Sequence, residues 1–352
     1  MGVVCDLQNK FHDELTLYIN GGCLSRRDLL ISISFPAVPF TLNSQKIIKK
    51  YQKFQNLILE NTCLPLKINF EMYAGKNRHV LQMQKYLNSY LSDDLLGAFV
   101  HGSLGTYEEI DYSDFDGLVI LKDEVFYSRR RLVKVARRLS QARKIMLDLD
   151  PLQHHGWFVL TEADLRYYCN AYFDVELFNY SKSLLNIKKS ELNLHLRDST
   201  KETYQALENM VNAIIREVED KQISNMYQLK SLLSGFMLLP ALYVQIRDGR
   251  GINKKQSFMA SKKDFDSVAW RIMDEVSDIR PLWRYELSET KRKLLNHPFF
   301  LSRYVMKTYG VRIPKQILER LTPDFYSRMS NLAFLMKKKL EENRVHQYRI
   351  KA

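Results

Sequence analysis

The sequence predicts an α+β protein: a core built on a mixed β-sheet, followed by a helical C-terminal domain. Three observations carry this. Between residues 76 and 165 the apolar pattern runs helix, strand, strand, helix, strand, the order of an α/β core. Beyond about residue 200 almost every segment has helical periodicity. The composition, 45% hydrophobic and 26% charged over 352 residues, is that of a globular chain able to bury a sizeable core.

Residues 1–75 read as an accessory α/β region. "LTLYIN", "LLISISF" and "LKINFEMY" have the short β-branched and aromatic runs of strands, and Gly21–Gly22 reads as a turn. "SQKIIKKYQKFQNLILEN" is helical, with Ile47, Ile48, Tyr51, Phe54, Leu57 and Ile58 on one face. No chemistry stands out there, so a scaffold or substrate-specificity role is expected.

Residues 76–195 form the expected core. "RHVLQMQKYLNSYLSDD" is a helix, "LLGAFVHGS" a strand ending in Gly-Ser, and "DFDGLVILK" a second strand after a polar loop. "VFYSRRRLVKVARRLSQARKIML" is a helix with Leu132, Val135, Ala136, Leu139, Ala142 and Met146 on its buried face. Its other face carries Arg129, Arg130, Lys134, Arg137, Arg138 and Lys144. "GWFVLT" is a third strand. Residues 196–352 form the helical domain, with Pro240 kinking or breaking its most apolar helix.

The net charge of +13 favours polyanionic partners such as a nucleoside triphosphate or RNA. The four cysteines make neither a C-x-x-C pair nor a disulfide scaffold, and reduced thiols are expected. Met1–Gly2 begins a myristoylation-like start, but Asp6 stands where Ser or Thr is needed. No leader pattern is evident at the start, and "LLSGFMLLPALYVQI" is too short and too interrupted for a membrane span. A cytoplasmic protein without membrane attachment is the expectation.

The chemistry concentrates in residues 101–121, "HGSLGTYEEIDYSDFDGLVIL". Gly102 and Ser103 close one apolar run. Asp114 and Asp116 open the next, eleven residues after Ser103. Glycine permits close backbone approach to a ligand, and a serine hydroxyl beside backbone N–H groups suits phosphate. Residues i and i+2 of extended chain share a face, so both carboxylates project together while Phe115 points into the core. Paired carboxylates repel unless something neutralises them, and a divalent cation does so. A bare strand-edge turn explains neither the Gly-Ser pair nor the spacing.

The combined pattern resembles the nucleotidyltransferase superfamily that includes DNA polymerase beta, poly(A) polymerases and the antibiotic nucleotidyltransferases. The likeness covers about residues 80–165. It implies a polymerase-beta-like core that uses Mg2+ or Mn2+ and an NTP such as ATP. Gly102 and Ser103 would hold the triphosphate, and Asp114 and Asp116 the metal. A nucleoside monophosphate would pass to an acceptor hydroxyl with release of pyrophosphate.

The family usually adds a third acid on a neighbouring strand, and here the chain departs from it. The expected position falls near His155 or Gly156, in "LDLDPLQHHGWFVLT". Three readings stand: Asp150 supplies the acid; His154 or His155 takes its place as base or ligand; or the histidines line a turn. Without a replacement, a non-catalytic nucleotide-binding protein is the alternative.

Lys230 lies in a helix that such enzymes often place over the nucleotide, where it would reach a phosphate; otherwise it sits on a solvated face. Arg250, Lys254 and Lys255 lie in a basic loop that reads either as a phosphate contact or as solvated charge. No separate RNA-binding module is evident, so a small-molecule or protein acceptor is favoured over an RNA end or oligonucleotide. RNA remains a candidate partner through the charge and the basic helix.

Overall fold

The computed structural model describes residues 2–58, 63–186, 191–219, 223–290, 305–308 and 310–351. The chain is α+β, and helix dominates. The first three helices are α1 (Gly2–Gly21), α2 (Arg26–Ser34) and α3 (Val38–Ile58). Strands β1 (Leu64–Asn69) and β2 (Glu71–Met72) follow. Next come α4 (Arg78–Tyr90), β3 (Leu95–Val100), the one-turn α5 (Gly102–Gly105) and β4 (Gly117–Leu121). Then α6 (Arg129–Leu149), β5 (Phe158–Thr161), α7 (Glu162–Arg166), β6 (Lys182–Ser183) and β7 (Glu191–Leu196) complete the core.

The five-stranded sheet has the order β2-β6-β3-β4-β5. It is mixed: β3 is antiparallel to β4 and β6, whereas β4 is parallel to β5. A separate antiparallel pair joins β1 to β7. Strand β4 is buried at all its positions, as expected for a strand covered on both faces.

Two strands expected near the N-terminus are helix instead. "LTLYIN" lies in α1, where Phe11, Leu15, Tyr18 and Ile19 are all buried. Their spacing is that of one helical face, and it overrides the local β propensity. "LLISISF" lies in and just beyond α2, whose N-cap Ser25 accepts a hydrogen bond from the N–H of Asp28. "LKINFEMY" does contain strand, as β1 and β2. Helices α1 and α3 share one buried core with α4, α6 and a face of the sheet.

Helix α6 starts at Ser128, whose side chain caps the Arg131 N–H. Its predicted stripe of Leu132, Val135, Ala136, Leu139, Ala142 and Met146 is buried. Several of its cations have partners within the protein. Arg129 binds Ser44 and the Thr41 carbonyl, Arg131 binds Asp94, and Arg138 lies over the Tyr90 ring.

The C-terminal region comprises α8 (Thr200–Glu219), α9 (Met226–Phe236), α10 (Leu239–Asp248), α11 (Lys254–Lys262) and α12 (Ser267–Ile279). The short α13 (Lys315–Leu318) and the long α14 (Pro323–Lys351) follow. Met226–Asp248 is long and apolar enough to cross a membrane by length and composition alone. It is divided into α9 and α10 ahead of Pro240, and 56% of its apolar window is buried in the protein. Tyr112 and Leu152 of the core reach into the helical cluster, so the two parts meet beside the segment that carries the aspartates.

Candidate active site

Asp114 and Asp116 lie in extended chain just ahead of β4. The backbone N–H of His101 donates to the Asp116 carbonyl at 2.9 Å, which carries the β3–β4 pairing one step further. On the other side the strand partner has run out, and the side chain of Gln153 replaces it. Its amide accepts from the Phe115 N–H at 2.9 Å and donates to the Phe115 carbonyl at 2.8 Å. Phe115 turns into the core against Trp157, so the flanking carboxylates turn the other way together.

His155 meets both carboxylates. Its Nε2 lies 3.1 Å from Asp116 Oδ1 and 3.4 Å from Asp114 Oδ2. His154 Nδ1 lies 3.5 Å from the same Asp114 oxygen. In the parallel β4–β5 register Leu118 pairs with Phe158, so the segment 153–156 runs alongside 113–116. His155 therefore occupies the neighbourhood where a third acid was expected. Asp114, His154 and His155 each offer a ligand atom, and these atoms lie within 4.8 Å of one another.

Lys230, from α9, is fully buried and not on a solvated face. Its Nζ contacts Asp114 Oδ1 and lies 2.8 Å from Asp150 Oδ2. Asp150 also accepts from the Leu152 N–H at 3.0 Å and the Tyr285 hydroxyl at 3.3 Å. Asp150 thus meets Asp114 through a shared lysine and through its own carboxyl. Tyr112 braces this arrangement: its hydroxyl lies 2.8 Å from Ser234 Oγ, and Lys230 and Arg280 both lie near its ring.

The electrostatics follow from one lysine and one imidazole shared among three carboxyls. Burial would raise the Asp114 carboxyl, but Lys230 and the two histidines hold it well below the usual range. Burial likewise opposes ionisation of Asp116, and His155 with His101 reverses this. Burial pushes Asp150 up to about 7, against the pull of Lys230 and with the charge of Asp114 adding to the rise. Burial would lower His155, yet its two carboxylate contacts take it up to about 10. Burial and the charge of His155 together push His154 down to about 4.

Gly102 adopts φ +62°, a conformation that favours glycine, and a Cβ there would overlap Asp116 Oδ2. The glycine is therefore needed for the backbone to lie against the carboxylate. The Ser103 carbonyl accepts from the Glu108 N–H at 2.8 Å, closing the loop that follows.

Two residues gain importance over their reading from sequence. Gln153 lies in an irregular segment with no local signal. Lys254 belonged to a basic loop whose favoured reading was solvated charge. It starts α11, which Lys255 ties to Glu108 at 2.6 Å and Gln256 ties to the Tyr180 hydroxyl at 3.1 Å. Burial and the charge of Arg280 push Lys254 down to about 8, although Asp116 and Asp114 favour its charged form. Arg250 lies beyond the Gly249 C-cap of α10, outside this group of contacts.

No protein-family model matches the chain, and no curated protein or solved structure matches it significantly.

Proposed function

We propose that the chain is a metal-dependent nucleotidyltransferase with a polymerase-beta-like core, which moves a nucleoside monophosphate from an NTP to a hydroxyl acceptor. The observation that carries this reading is the approach of Gly102 to Asp116. A left-handed glycine and a paired carboxylate are brought into contact where β3 ends and β4 begins, with Asp114 beside them.

The residues fit a divalent cation. Asp114 and Asp116 converge on His155 Nε2, where a cation would take the place of the imidazole proton, and the buried His154 Nδ1 has no hydrogen-bond partner. A cation bound there would act as a Lewis acid on phosphate oxygens. Gly102 and Ser103 would receive the phosphates, and Lys254 and Arg280 would offset their charge. The acceptor oxygen bonds to the α-phosphorus, the α–β phosphoanhydride bond breaks, and pyrophosphate leaves. The hydroxyl proton passes to Asp116 and on to water.

A cavity of about 480 Å3 on the α1 side of His155 suits an acceptor. Leu17, Phe158 and Tyr172 supply apolar wall, and Asp13 and Thr16 supply polar contacts.

A non-catalytic nucleotide-binding protein is the second reading. It is favoured by Lys230 and His155, which already neutralise the aspartate pair. Both readings are tested by incubating the protein with α-labelled NTPs, a divalent cation and fractionated small-molecule, protein and RNA acceptors. Label transferred by wild type and lost in Asp114→Asn supports transfer. Nucleotide binding without transfer in any fraction supports the second reading.

A further inference from the structure

We propose that Asp114, His154 and His155 form a three-residue centre for a first-row transition ion, and that this ion, not Mg2+, is the resident cation. The inference deepens the nucleotidyl-transfer reading, but its own support is the donor geometry.

Asp114 Oδ2 has two imidazole nitrogens around it, at 3.5 Å from His154 and 3.4 Å from His155. His155 Nε2 hydrogen-bonds Asp116 Oδ1 at 3.1 Å, whereas both separations from Asp114 exceed those of good N–H···O hydrogen bonds. They match the distance between neighbouring ligands of a tetrahedral ion, about 3.4 Å for metal–ligand bonds of about 2.1 Å. His154 Nδ1 is shut off from solvent and has no hydrogen-bond partner, a costly state for a polar atom that a metal bond would relieve.

The surroundings suit such an ion. Gln153 anchors the segment through its two bonds to Phe115, so the adjacent histidines are carried on a fixed support. His155 Nδ1 lies 3.4 Å from the Gly156 carbonyl and 3.5 Å from the Gln153 amide nitrogen, neither a strong hydrogen bond, and Nε2 is the ring nitrogen that faces Asp114. Lys230 takes the other Asp114 oxygen, so Oδ2 is the one that faces the histidines. Imidazole is a favoured ligand of zinc, iron, copper and nickel, whereas Mg2+ takes oxygen and gives up its waters reluctantly. Two imidazoles and one carboxylate select against Mg2+. They leave at least one coordination position for water or a phosphate oxygen.

The test is cation binding to the full chain in the absence of nucleotide. Metal-free protein is titrated with Co2+ and, separately, Mg2+, with calorimetry and the visible spectrum of bound Co2+ as readouts. The expected result is one equivalent of Co2+ bound at least about tenfold tighter than Mg2+. His154→Gln and His155→Gln should each weaken Co2+ by at least about tenfold and leave Mg2+ unchanged. Equal affinity for the two ions, or unaltered Co2+ binding in both variants, overturns the proposal. Should a variant fail to fold, 15N-histidine spectra of the wild type with Zn2+ decide instead. Large shifts at two of the eight histidines support the centre, and none overturns it. Co2+ held by histidines without any nucleotidyl transfer would keep this proposal and sink the wider reading. Transfer with Mg2+ alone and no Co2+ preference would do the reverse.

Discussion

Gln153 holds both backbone groups of Phe115, at 2.9 Å to its N–H and 2.8 Å to its carbonyl, and Phe115 is the residue between Asp114 and Asp116. One side chain thus does the work of a missing strand. Replacing it with Leu leaves two buried backbone groups unpaired, at about 1–3 kcal/mol each. Gln153→Leu is expected to fold with reduced stability and to lose kcat more than nucleotide affinity. An unchanged kcat would show that the Phe115 backbone needs no such support.

Lys230 is the internal counter-ion of the site. Burial opposes its charge, but Asp114 and Asp150 raise it above the ordinary lysine range. Lys230→Met strands two buried carboxyls and should cost about 3–5 kcal/mol in urea unfolding. Adding Asp150→Asn should recover part of that loss, because the two sites are in contact. A single variant within about 1 kcal/mol of wild type would remove Lys230 from this role.

Glycines 102 and 249 offer a matched pair. Both have positive φ, at +62° and +70°. A Cβ on Gly102 meets the Asp116 carboxylate, whereas one on Gly249 meets nothing within 4 Å. Each alanine variant should pay roughly 1–2 kcal/mol of backbone strain. Only Gly102→Ala should also lose activity, by about a hundredfold, because it displaces a reacting group. Equal activity in the two variants would mean that the Gly102–Asp116 contact has no functional weight.

Asp174 predicts a pH dependence. Burial pushes its carboxyl up to about 6, and the Glu176 charge adds to this against hydrogen bonds from the Glu176 N–H and Asn170. Its carboxylate lies where a Cβ on Gly251 would fall, in the loop that leads to Lys254. An unfolded aspartate titrates near 3.9, so between about pH 4 and 6 the folded state holds a proton that the unfolded state lacks. Its contribution is therefore present below about pH 4 and is lost as pH rises through about 6. Asp174→Asn keeps an acceptor for the Glu176 N–H and cannot ionise. Urea midpoints from pH 4 to 7 should fall less steeply in the variant, with a gain of about 1–2 kcal/mol at neutral pH. Parallel slopes would contradict the assignment.

Much of the architecture could be read in advance where a single element carries its own signal. The α6 stripe, the apolar runs of β3 and β4, the helical C-terminal region and the same-face projection of Asp114 and Asp116 all depend on local period. The misread segments are those whose tertiary partners decide. "LTLYIN" has β-type residues but a helical burial pattern that runs from Phe11 to Ile19 of α1. Lys230 is polar in an apolar helix, and only the fold brings Asp114 and Asp150 to it. The approach of His155 to both aspartates depends on β4–β5 register, and Gln153 acts from an irregular segment that has no period at all.

The most direct measurement is pyrophosphate released from each NTP by wild type and by Asp116→Asn, with Mg2+, Mn2+ and Co2+ in parallel and acceptor fractions supplied. Nucleotidyl transfer predicts metal-dependent release by wild type and a loss of at least about a hundredfold in the variant, with nucleotide binding retained. Release that is equal in the two proteins, or nucleotide binding with no release under any metal, would contradict it.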